Sequence, residues 1–170
     1  VAEPAPNARA LPPWIPTVMG GEGREWFEPL SDVLQWRSNG LEVKVDIEHQ
    51  YGVVSKRVQS QDMYLRPGIA FFMVGSSFGA RAHRFRSIFG DRGSSVFPNS
   101  IAAMVCLMNS SRARFVLESL DPGICFQVGD VNRLPVFPVA NADKIFATLD
   151  RAFGGHEAAR HDRGHVGWRR

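Results

Sequence analysis

The stretch "RPGIAFFMVGSSFGARAHRFRSIFGDRGSSVFPNS", Arg66 to Ser100, decides how the chain is read. Ile69 to Gly75 is a continuous apolar run closed by glycine. It is too short for a buried helix and suits a strand covered on both faces. "RFRSIF", a turn from Gly90 to Gly93 and "SSVFP" then predict a strand pair, with Asp91 and its flanking glycines suited to positive φ. Between the apolar run and the turn lie Arg81, His83, Arg84 and Arg86, and Arg92 follows within the turn. Asp91 is the acid that faces them. On an extended segment Arg84 and Arg86 point to one side and Phe85 to the other, so one side packs while the other presents guanidinium groups. A ridge of this kind suits a polyanion, although a solvated face of an arginine-rich protein has the same pattern.

Downstream, Ile101, Met104, Val105, Met108, Phe115, Val116 and Leu120 follow helical spacing. They predict one helix from Ser100 to Leu120, capped by Asn99 or Ser100 just after Pro98. "DPGICFQVGDVNRLPVFPV" predicts a turn, a short strand, a second turn and a strand, and "NADKIFATLDRAFGG" a second helix that stops at its glycine pair. Upstream, "SDVLQW" predicts a strand at Val33 to Trp36. "LEVKVDIEHQYG" alternates apolar and polar residues at Leu41, Val43, Val45 and Ile47, the local period of a strand. "SKRVQSQDMYLRPG" is a polar, basic loop in which Lys56, Arg57 and Arg66 add cations and Ser55, Gln59, Ser60 and Gln61 add hydrogen-bonding groups for phosphates or base edges. In "GGEGREWFEPL" the glycines allow a tight turn before the anchoring pair Trp26 and Phe27.

These elements predict an α+β domain with a mixed, largely antiparallel sheet and two main helices. Residues 1–13, rich in Pro and Ala, form a flexible arm, 14–155 the domain, and 156–170 a basic tail with few core-forming residues. The 170 residues, 44% hydrophobic, suffice for one principal core. Twenty Lys and Arg against 17 Asp and Glu leave a net charge of +3, too small to name a partner, so the distribution of charge must decide. Apart from Lys44, Lys56 and Lys144 the cations are all arginines. That suits bidentate contacts to phosphate or guanine, and equally a GC-rich genome. Cys106 and Cys125 sit among apolar neighbours and read as small buried hydrophobes in a reducing compartment. No apolar run reaches membrane-spanning length, and the first residues lack the order of a secretory signal, so the expected location is cytoplasmic, with no membrane partner.

Catalytic constellations are absent from the sequence. His156, His161 and His165 cluster, but "HEAARH" spaces its histidines one residue too far apart for two zinc ligands on one helical turn. "GSSFG" lacks the order of a nucleophile elbow, and Cys106 lies in a helical stripe. "GGEG" is not followed by the residues of a phosphate loop. Asp91, Asp121 and Asp130 each stand beside glycine, proline or a turn. His83 with Asp91 lacks the further acid that a metal-dependent nuclease needs.

The order of several pieces resembles the C-terminal, DNA-recognition part of BREX-type adenine-specific DNA methyltransferases and related fused restriction–modification enzymes. The pieces are "GGEGREWF", "VLQWRSNGLEVK", "SQDMYLRPGIAFFMVGSSFGARAHRF", "DRGSSVFP", "LMNSSRARFVLESLDPGICFQVGDVNRLPV" and the start of the tail, "HEAAR". The resemblance favours a helix rather than a strand over "LEVKVDIEHQYG". In that family an upstream domain binds S-adenosylmethionine and methylates adenine N6, using a Gly-rich motif and an Asn-Pro-Pro-aromatic motif. Neither motif occurs here, so the resemblance implies a target-recognition region rather than an enzyme, with no cofactor in this chain. The implied partners are double-stranded DNA and a methyltransferase catalytic domain, upstream or in trans. Arg24 falls in a stretch that is usually basic and aromatic in the family. Ser76 and Ser77 fall where "GIAFFMVGSS" departs from the family's usual "GITWS". The DNA-binding candidates are therefore Arg24, Lys56, Arg57, Arg66, Ser76, Ser77, Arg81, His83, Arg84, Arg86 and Arg92. A protein-interaction or scaffolding domain in a phage-defence complex is the alternative, with the helices docking partner subunits.

Overall fold

The computed structural model describes residues 13–19, 25–28, 32–75, 77–90, 93–121, 123 and 125–164, with side chains described as far as 155. Among the described residues two small mixed sheets and five α-helices make up an α+β fold, as the sequence predicts. In the first sheet β1 (Trp14–Val18) lies between β3 (Val33–Gln35), antiparallel, and β6 (Ile88–Phe89), parallel. The second has the order β2-β5-β4-β7, formed by Trp26–Phe27, Ala80–Ala82, Ile69–Phe71 and Ser95–Val96. Within it β2 runs parallel to β5, and the other pairings are antiparallel. The sheets meet where Gly93 lies against β1. A Cβ at Gly93 would stand 2.4 Å from the Val18 carbonyl oxygen, closer than any side chain permits.

β4 is the strand that the apolar run predicts, and Ile69, Ala70 and Phe71 have no exposed surface. Its core continues through Phe78 and Phe126, whose rings meet edge to face at 5.2 Å, to Val105, Leu107, Met108 and Leu117. A second, smaller core of Ile15, Trp36, Val58 and Ile88 lies under the first sheet. A chain of aromatic contacts joins the two halves, from Trp36 to Tyr64, Tyr64 to Phe89, and Phe89 to Phe97.

Several local expectations are corrected. "RFRSIF" and "SSVFP" do not pair with each other: β6 joins the first sheet and β7 the second, because β1 and β4 are available as longer, apolar partners. Arg84 and Arg86 consequently lie outside any strand. The predicted single helix from Ser100 to Leu120 is two helices, α2 (Ile101–Met108) and α3 (Ser111–Leu120). Asn109 breaks it by spending its amide on another element. Its Oδ1 accepts from the Ala80 N–H, and its Nδ2 donates to the Ala80 carbonyl, both at 2.8 Å. The side chain therefore continues the β5 ladder beyond the end of β2, satisfying two buried backbone groups. Ser100 and Ser110 cap the two helices, each hydroxyl accepting the N–H three residues on. Phe115 and Leu120, assigned to the buried stripe, are exposed, and Leu117 is buried instead.

"LEVKVDIEHQY" is a helix, α1 (Leu41–Tyr51), as the resemblance favours and against its local period. Gly40 starts it at φ +73°, packed so closely on the Trp36 ring that a Cβ would lie 2.7 Å away. As a strand the segment would put Leu41, Val43, Val45 and Ile47 on one face. As a helix it turns Val43 and Ile47 to the second core and leaves Leu41 and Val45 exposed. The strands predicted after Asp121 are replaced by the short α4 (Val128–Val131), started by Asp130, whose carboxylate accepts the Gln127 N–H. Cys125 bridges Val74 in an isolated antiparallel pairing. α5 (Ala142–Gly164) runs through Gly154 and Gly155 rather than stopping there.

Candidate nucleic-acid interface

The arginine ridge does not stand on one exposed edge. Arg81 occupies the middle of β5, with β2 on one side and β4 on the other, and its side chain has no exposed surface. Its Nε lies 3.0 Å from the Glu28 carboxylate, its Nη2 donates to the Met19 carbonyl at 2.9 Å, and its guanidinium stands 4.9 Å from the centre of the Phe72 ring. The expected exposure of Arg81 is corrected. Its charge is consumed inside the protein, because an ion pair taken from water must satisfy its hydrogen bonds internally. Glu28 follows β2 and Met19 follows β1, so Arg81 ties both sheets together.

Arg84 is partly covered. Its guanidinium stacks 5.4 Å from the centre of Phe27 and 4.8 Å from that of Phe153, and lies 3.6 Å from Asp150. Phe27 also packs on Phe146 and Phe153, so Arg84 clamps α5 onto β2. His83 is half-buried, with Nε2 3.1 Å from the Ser95 hydroxyl and its ring edge-on to Phe97. Burial, with a smaller contribution from the charge of Arg81, lowers its pKa to about 4 against an opposing hydrogen bond to the Arg66 backbone, so at neutral pH it is uncharged. Glu28, Asp32, His83 and Arg84 line a cavity of about 10 Å³, the space of a single water and too small for a base or a cofactor.

Of the cations predicted to bind DNA, the exposed ones lie elsewhere, on the segment from Tyr51 to Arg66 and at Arg86; Arg37, Arg112, Arg133, Lys144 and Arg151 are exposed on other parts of the surface. Val58 is buried in the second core, and Val54, Tyr64 and Leu65 pack against it, so this loop rests on a fixed base. Ser55, Lys56, Gln59, Ser60, Gln61 and Arg66 are exposed on that base, and Arg57 is partly so. The Leu65 N–H donates to the Ser87 carbonyl at 2.9 Å, which sets the backbones of Arg66 and Arg86 beside one another. Arg86 is exposed, and Ser77 is half-buried. Arg24, Ser76 and Arg92, with Asp91 of the nuclease alternative, lie outside the described residues. So do the side chains of His156 and His161, and the whole of His165.

Tyr51 was missed by sequence reasoning. Lys56 Nζ lies 5.4 Å and the Arg57 guanidinium 5.0 Å from the centre of its ring, and Arg57 Nη2 donates to its hydroxyl at 3.4 Å. Lys44 stands 5.7 Å from the Trp36 ring, a second cation held by an aromatic surface. A helix over residues 41–51 places Lys44 and Tyr51 two turns apart on one face, but the contacts of Tyr51 with Lys56 and Arg57 depend on how the chain turns after Gly52, which spacing does not show.

Among the described residues no group of His, Cys, Asp and Glu could hold a metal ion. Burial raises the Cys106 thiol, which lies 3.7 Å from the Ala142 carbonyl as an ordinary core residue. No helix among the described residues is long and apolar enough to cross a membrane.

No family model matches the chain. It is similar to adenine-specific methyltransferase PglX of Lacticaseibacillus casei, with 28% identity over 127 residues, 72% of this chain and 11% of that protein. It is also similar to adenine-specific methyltransferase BrxX of Escherichia coli O9:H4, with 26% identity over 129 residues, again 72% of this chain and 10% of the relative. The chain thus matches about a tenth of the length of these relatives.

Proposed function

We propose that the chain is a DNA-sequence recognition region of an adenine-N6 DNA methyltransferase, working in phage defence or restriction–modification. In this reading it holds a duplex so that an S-adenosylmethionine-dependent domain elsewhere can act on an adenine flipped from the stack. The observation that carries the proposal is the similarity to adenine-specific methyltransferases over 72% of the chain but only a tenth of theirs. A supported, polar and cation-bearing surface at 51–66 and Arg86 adds to it. Those side chains suit a duplex: cations for phosphate, and Gln59 and Gln61 for base edges. Arg81 has no exposed surface with which to reach a duplex, and Arg84 offers only the part of its guanidinium that Phe27 and Phe153 leave uncovered.

Competition between a labelled duplex and unlabelled duplexes of varied sequence tests the proposal. The expected result is binding with preference for one site over bulk duplex. Equal competition by every sequence would remove the recognition role, and absence of duplex binding would remove DNA as the ligand. A second reading, docking of a partner subunit, is favoured by α1, which buries no residue completely and exposes Leu41 and Val45.

A further inference from the structure

We propose that Arg66 and Arg86 form a two-arginine seat that closes on one phosphate of the duplex backbone. The inference rests on the DNA reading above and makes it specific: at this point of the surface the protein holds the strand and does not read bases.

Three features carry it. First, the fold brings together two cations that lie 20 positions apart in the chain. Ile69 pairs with Ala82 where β4 and β5 run antiparallel, and the pairing continues outward as the Gly68 carbonyl accepts the His83 N–H at 2.8 Å. The Leu65 N–H then donates to the Ser87 carbonyl at 2.9 Å, so Arg66 and Arg86 occupy adjoining positions past the end of the ladder. Second, both are exposed, and among the described residues neither stands in an ion pair. Arg66 gives one terminal N–H to Met63 Sδ at 3.1 Å, a weak acceptor that carries no charge. Two like charges repel, and an anion between them relieves the repulsion, whereas the neutral edge of a base does not. Third, the supports are fixed before a ligand arrives. Leu65 is held at φ +63°, a left-handed conformation that a bulky side chain rarely adopts, and Pro67 steers Arg66 towards extended backbone. Tyr64 packs edge-on between Trp36 and Phe89, and Ser87 and Ile88, which follow Arg86, are buried. A fixed backbone lowers the entropy lost on binding. Each guanidinium offers a planar fork to phosphate oxygens, so two of them can enclose one phosphate without regard to the base attached.

The test measures binding of the full chain to fluorescent duplexes of about 30 base pairs in two unrelated sequences, from about 50 to 200 mM salt. Arg66→Gln and Arg86→Gln, checked by circular dichroism and melting to be folded, should each weaken binding about tenfold, equally on both sequences. Combined, they should weaken it about twentyfold, well short of the roughly hundredfold to which independent contacts would multiply. The slope of log affinity against log salt should fall by about one unit in the double variant. Arg66→Lys/Arg86→Lys keeps both charges and should leave the slope unchanged while weakening binding about threefold. Losses that multiply, with a slope lowered by about two units, would put the arginines on separate phosphates and overturn the shared seat. A double Gln variant that binds like the parent, or a loss confined to one sequence, would overturn it too, and each of these results leaves the DNA reading in place. A parent chain that binds neither duplex would overturn both the seat and the reading beneath it.

Discussion

Two sets of cations in this protein do opposite work, and only their surroundings tell them apart. Arg81 and Arg84 are enclosed by aromatic rings and carboxylates and hold elements together. Lys56, Arg57, Arg66 and Arg86 stand wholly or partly in solvent on a loop and a strand approach that the second core supports. Arginine suits both tasks, because its planar fork makes several hydrogen bonds at once whether the acceptors are internal or on a ligand. Removing a member of the first set should therefore cost stability, and removing a member of the second should cost binding.

The largest effect is expected at Arg81. Arg81→Ala leaves Glu28 as a buried charge without its cation and should destabilise the fold by about 3–5 kcal/mol in urea denaturation. Arg81→Met combined with Glu28→Leu should recover most of that loss, and a double variant as unstable as the single one would show that the pair is more than self-compensating. Asn109→Ala should cost about 2–3 kcal/mol, because the Ala80 N–H and carbonyl both lose a buried partner. Loss well below 1 kcal/mol would mean that α2 can move to satisfy them.

Arg84→Ala should cost about 1–2 kcal/mol and act locally, since the guanidinium clamps α5 through Phe153 and Asp150. Hydrogen exchange should quicken in α5 and stay unchanged in β4. The His83 site adds a pH dependence. Its pKa in the folded chain, about 4, lies below the ordinary 6.5, so between those values the unfolded state binds more protons. Stability should fall as pH drops from about 6.5 towards 4, and His83→Asn should flatten the melting temperature across that window. The smallest effect on stability, within about 0.5 kcal/mol, is expected for Lys56→Ala and Arg66→Ala. A large loss at either exposed residue would erase the distinction between the two sets.

The sequence by itself determined the elements whose pattern is local. The apolar run at Ile69 to Gly75 gave a fully buried strand start because no other structure of that length covers both faces. Ser100 capped a helix, and mixed strands and helices gave an α+β fold. Tertiary structure decided the rest, for three physical reasons. Alternation at Leu41 to Ile47 was outweighed because the second core accepts only Val43 and Ile47, and a helix delivers that pair. The run from Ser100 to Leu120 was divided because the end of β5 needed a hydrogen-bonding partner and Asn109 supplied it, a need set 29 residues away and invisible locally. The apparent ridge was dismantled because Glu28, the Met19 carbonyl and the Phe72 ring close over Arg81, while Phe27 and Phe153 close over Arg84. Sequence spacing tells where a charge can point on an isolated strand, but the neighbours that remove it from water come from distant parts of the chain.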